Sequence, residues 1–118
     1  MLVTWSQSGN FGWLSALQRP DKFKAIVALE GGVPDLSTPQ NVALYSKIPI
    51  LFVIGDRDPA RAAQAHTAEQ ILLNAGGKVK ALVLPEAGIF GNGHTFVVEK
   101  NNLQIADLII DWLKQNTQ

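Results

Sequence analysis

The sequence predicts an α/β protein, a parallel sheet of about four strands with helices on its faces. Three observations lead there. The runs K-A-I-V-A-L, I-P-I-L-F-V-I and V-K-A-L-V-L are short and mostly apolar, as strands buried on both faces are. Stretches with helical spacing lie between them. Glycine, proline or aspartate closes each run, so strand and helix alternate along the chain.

Taken in order, residues 2–4 read as the end of a first strand, closed by turn-forming residues over 6–12. Phe11, Trp13, Leu14, Ala16 and Leu17 approximate a helical stripe, stopped by Arg19-Pro20. Residues 24–29 form the second strand, and Glu30-Gly31-Gly32 breaks it. The segment 33–47 is rich in Pro, Ser and Asn and reads as an excursion over the surface. Residues 48–54 form a third strand ending at Gly55-Asp56-Arg57-Asp58-Pro59. The Ala-rich stretch 60–75 predicts a helix that Gly76-Gly77 terminates. Residues 79–84 make the fourth strand, followed by a glycine-containing loop over 86–94. From Asn101 onward, Leu103, Ala106, Ile110 and Leu113 fall at helical spacing. No repeat divides the chain, so residues 1–118 read as one domain.

Composition narrows the function classes. Ten acidic and ten basic residues give zero formal charge, and the basic residues are scattered. Neither nucleic acid nor an anionic membrane surface is an expected partner. No apolar run reaches the length of a transmembrane helix. The sequence has no cysteine, which excludes disulfides and thiolate metal sites. Its two histidines and scattered acids have no metal-ligand spacing, and no metal or other cofactor is expected.

Chemistry-bearing residues follow every predicted strand: Ser6, then Glu30, then Asp56 and Asp58, then His94. In open α/β sheets the carboxyl ends of the strands line the ligand crevice. Serine becomes a nucleophile when a histidine takes its proton, and that histidine needs a carboxylate to fix its tautomer. Each residue also has a plainer reading. Glu30 could be an exposed turn residue, and Asp56 to Pro59 a turn with a helix cap, a role that suits Asp58 better than catalysis. His66 reads as a surface residue of its helix, whereas Trp13 and Trp112 read as packing residues. Glycines flanking His94 suggest a loop shaped to present it.

The stretches S-Q-S-G, A-I-V-A-L-E-G-G, I-P-I-L-F-V-I-G-D and G-N-G-H, with the helix beginning K-N-N-L-Q-I-A-D, occur in one order. Together they resemble the C-terminal half of an α/β-hydrolase of the bacterial esterase type, whose nucleophile turn reads H-S-Q-S-G. The chain order Ser…acid…His is that of this superfamily. The resemblance implies a small-molecule ester substrate, Ser6 as nucleophile, His94 as base and the Gln7 backbone N–H as one oxyanion donor. It implies Glu30 as the acid, with Asp56 the alternative. Neighbouring strand ends lie about 5 Å apart, within reach of a glutamate. Two departures stand out: Thr4 and Ser8 replace the glycines of G-x-S-x-G, and Trp5 replaces the histidine before the serine, where its bulk is expected to crowd the nucleophile.

The first strand is short against a typical five or six residues. We therefore expect a partial fold of about four strands, with the N-terminal half of the hydrolase fold, including the second oxyanion donor, outside this sequence. The alternative to an enzyme is a truncated, catalytically silent module that self-associates through its exposed first strand.

Overall fold

The computed structural model describes all 118 residues. Strands β1 (Leu2–Trp5), β2 (Ile26–Leu29), β3 (Ile50–Ile54) and β4 (Val79–Val83) form one parallel sheet in the order β1-β2-β3-β4. The register sets Trp5 level with Leu29, and Leu29 level with Val53. The loops that leave β1, β2 and β3 therefore open along one edge of the sheet.

Helices α1 (Ser8–Gln18), α2 (Pro39–Tyr45) and α3 (Pro59–Asn74) each connect consecutive strands, and α4 (Asn102–Asn116) follows the last. A sheet whose strands lie in sequence order, joined by right-handed crossovers, must carry its connecting helices on one face. That face buries Trp13, Tyr45, Ala68 and Leu72 against Ile26, Ala28, Ile50 and Phe52. The opposite face buries Val27, Leu29, Leu51 and Val53 under Phe96 and Ile105, the latter from α4. Alternate residues of each central strand thus feed two separate cores. This is why those strands read as continuous apolar runs.

The structure departs from the sequence expectation at two helices. Residues 33–47 are not all irregular, because α2 forms within them. Thr38 caps it by accepting the Asn41 N–H at 3.2 Å, with Pro39 at the first helical position. The helix also begins earlier than expected after β1, at Ser8 instead of Phe11. Gly12 allows α1 to lie close on β1: a Cβ there would stand 2.7 Å from Thr4 Cγ2 and 3.1 Å from Leu2 Cδ2. The remaining expected elements form, with α3 capped by Asp58, whose Oδ1 accepts the Arg61 N–H at 3.0 Å. No helix is long and apolar enough to cross a membrane.

Candidate active site

Ser6 sits on the turn between β1 and α1 with φ of 54°, in the left-handed region that non-glycine residues rarely occupy. Local hydrogen bonds hold it there. The Ser6 N–H donates to the Leu29 carbonyl at 2.9 Å. Ser8 Oγ accepts the Trp5 N–H at 2.8 Å and donates to the Trp5 carbonyl at 2.6 Å, bracing the turn around Ser6. The backbone N–H of Gln7 donates to no group within the chain. It follows Ser6 directly in the chain and is free to donate to a group outside it.

Glu30, directly after β2, also has positive φ, 47°. It is not an exposed turn residue, since only 3% of its surface is accessible. A buried carboxylate needs partners, and this one has three. Oε1 accepts the Gly55 N–H, Oε2 accepts Arg61 Nη1–H at 3.0 Å, and Oε2 lies 3.2 Å from His94 Nδ1. On the other side of the same imidazole, Nε2 lies 2.8 Å from Ser6 Oγ. Ser6, His94 and Glu30 are brought together in one hydrogen-bonded line from three loops.

His94 Nδ1 has a second neighbour, Arg61 Nη1 at 3.1 Å. The two contacts demand opposite tautomers. With the proton on Nδ1, the ring donates to Glu30 and leaves Nε2 to accept the Ser6 proton. Arg61 then keeps its bond to the Glu30 carbonyl, 2.9 Å.

The loop that presents His94 is fixed from below. Asn92 is 1% exposed, and its Nδ2 donates to Glu99 Oε2 and Asn101 Oδ1, both at 2.7 Å. Glu99 Oε1 accepts the Gly93 N–H at 3.0 Å. Asp56 Oδ2 accepts the Gly91 N–H at 2.7 Å, and the Asp56 N–H donates to the Asn92 carbonyl at 3.0 Å. Asp56, the alternative acid, is thus engaged with the histidine loop and makes no hydrogen bond to His94. Trp5 does not simply crowd Ser6. Its Nε1–H reaches across to the His94 carbonyl at 2.7 Å, and its ring lies 5.1 Å from the imidazole, centroid to centroid.

The sequence reading assigns no role to Arg61, Asn92, Glu99 or Asn101, although Asn92 and Asn101 lie in the stretches G-N-G-H and K-N-N. Arg61 could have been suspected from its place in the first turn of a helix that starts at a strand end. His66 lies away from the site, between Glu69 Oε2 at 3.2 Å and Glu86 Oε1 at 3.0 Å. Trp13 is buried in the first core, and Trp112 packs against the second.

Ser6, Gln7, Asn10, Glu30, Gly31, Gly32 and Arg61 line a pocket of about 420 Å³ that contains no apolar side chain.

No family model matches the chain. A solved structure described as a novel bacterial esterase superposes with a TM-score of 0.89 at 36% identity, covering 100% of this chain and 39% of that one. The fold is α/β and matches that of this esterase over the whole of the sequence. A thermostable esterase shares the fold at TM-score 0.68 and 21% identity, over 98% of this chain and 30% of that one. Among sequence relatives is a "Probable secreted lipase phiG" from a fungal strain (ATCC 74256), 27% identical over 97% of this chain and 45% of its own length. The chain therefore spans less than half the length of each of these relatives.

Proposed function

We propose that this chain is the C-terminal part of an α/β-hydrolase and carries a Ser6–His94–Glu30 triad that hydrolyses carboxylic esters. The relay of contacts at 2.8 Å and 3.2 Å from Ser6 through His94 to Glu30 carries this reading. In it, Ser6 Oγ attacks the ester carbonyl while His94 Nε2 takes its proton. Glu30 holds the Nδ1–H and stabilises the imidazolium that forms. The Gln7 N–H faces the developing oxyanion. The imidazolium then protonates the departing alcohol, leaving an acyl group on Ser6. Water, deprotonated by His94, releases the acid and restores the serine. The W-S-Q-S-G turn works with Ser8 in place of glycine because its hydroxyl closes the turn on Trp5. Residues 1–118 act as a single domain in this reading.

Hydrolysis of 4-nitrophenyl acetate tests it. Ser6→Ala and His94→Ala should each lower kcat/KM by at least about 1000-fold, and retention of the rate in either variant contradicts the proposal.

A second reading has its own observation. β1 is an edge strand of four residues with Val3 and Trp5 exposed, so a copy of the chain can pair with it. Sedimentation across a concentration series checks this. A monomer at every concentration argues against self-association.

A further inference from the structure

We infer that the wall beside Ser6 binds a neutral, oxygen-bearing group of the ester, a hydroxyl, ether or second carbonyl, in preference to a hydrocarbon chain or an anion. The inference rests on Ser6 being the nucleophile. Small-molecule sites are ordinarily lined mainly by apolar side chains, whereas none lines the pocket at Ser6. An apolar pocket does exist, between Val33, Leu36, Ala68 and Ile71, but its lining includes none of Ser6, Glu30 or His94. A hydrocarbon chain placed in the pocket at Ser6 would desolvate amides and give them nothing in return.

The polar wall is built, not merely exposed. The Gly32 carbonyl is held by the indole N–H of buried Trp13 at 3.0 Å, which fixes the loop after β2. The N–H groups of Gly31 and Gly32 donate to nothing within the chain. Asn10 reaches over this loop from α1, with its Oδ1 3.8 Å from where a Gly32 Cβ would stand. Asn10, Gly31 and Gly32 line the same pocket as Ser6, so a ligand oxygen there lies beside amide groups that can donate to it.

Charge selects a neutral ligand. The one cation in the wall, Arg61, already faces Glu30 Oε2 at 3.0 Å and Asp58 Oδ2 at 3.6 Å. Two carboxylates against one guanidinium leave no excess positive charge to attract an anion.

The test uses isosteric esters, each rate divided by the rate of hydroxide-catalysed hydrolysis. On the acyl side, 4-nitrophenyl 3-methoxypropanoate is compared with 4-nitrophenyl pentanoate. On the alcohol side, 2-methoxyethyl pentanoate is compared with butyl pentanoate. The ether should be preferred about three- to tenfold in at least one pair, the value of one hydrogen bond, and that pair identifies which half of the ester occupies the wall. Methyl 4-nitrophenyl adipate should exceed mono-4-nitrophenyl adipate. Asn10→Leu should erase the ether preference, with circular dichroism showing the fold unchanged. Equal rates in both pairs, faster turnover of the anion, or an ether preference that survives Asn10→Leu would overturn the inference and leave the triad standing. Turnover of these esters that persists in Ser6→Ala would overturn both.

Discussion

At Ser6 and Glu30 the backbone itself is informative. Both non-glycine residues hold positive φ, 54° and 47°, at a cost of about 1–3 kcal/mol each. Strain of this kind persists only where surrounding contacts over-determine it, and here both residues meet at His94. The choice of acid can be decided at this scale. Glu30→Gln should lower kcat/KM by about 10³- to 10⁴-fold, because the imidazole loses the carboxylate that fixes its tautomer. Asp56→Asn keeps an oxygen for the Gly91 N–H and should cost less than about tenfold. Steady-state kinetics of the two variants, with circular dichroism to verify folding, separates them. That Ser6, Glu30 and His94 would lie at strand ends was legible in the sequence, and the structure brings the three together. Arg61 was not legible there, because its bonds to Glu30 depend on how α3 sits beside the loop after β2.

The elements that aim these groups meet through a few close approaches. A Cβ on Gly55 would fall on the Asn92 carbonyl oxygen. Gly55→Ala should therefore displace the His94 loop and lower turnover about 100-fold, as a displacement near 1 Å can, with a far smaller effect on binding. Comparison of kcat with KM reads this directly. A separate link joins α3 to the turn after β4. Glu86, and then Glu69, stabilise the His66 imidazolium, raising its pKa above 6.5. A raised histidine pKa gives stability that is complete below about pH 6.5 and is lost as pH rises through the raised value. Thermal unfolding of the parent protein should thus lose this increment on going from acid to alkaline pH, and Glu86→Gln should diminish the loss. Titration of the His66 Cε1–H by NMR should give a midpoint above 6.5 that falls in Glu86→Gln. The helix α2 escaped the sequence reading because its seven residues carry too little periodicity to outweigh the Pro, Ser and Asn around them. Its signal was the cap, Thr38-Pro39, and not the pattern.

Across the whole molecule, one parallel sheet separates two cores, and the continuous apolar strands announced that arrangement before any coordinates. Helix α4 is the main helical cover of the second core. Ile105→Ala should cost about 2–5 kcal/mol, whereas Leu103→Ser, at 76% exposure, should change stability by less than about 0.5 kcal/mol. Urea denaturation of both variants distinguishes the buried stripe from the outer one. Sheet direction and the common side of the loops were readable from the alternation of elements, whereas strand order was not, because the same alternation fits several parallel orders. The contacts of Asn92, Glu99 and Asn101 that steady the histidine loop were not, since they depend on three polar side chains folding back on one another. The central claim is that this architecture makes Ser6 a nucleophile through His94 and Glu30. Treatment of the protein with a fluorophosphonate, followed by peptide mass spectrometry, tests it most directly. A single adduct on Ser6 is expected, absent in Ser6→Ala and formed at least about 100-fold more slowly in His94→Ala. An unmodified Ser6 in the folded protein, or an adduct on a different residue, would contradict it.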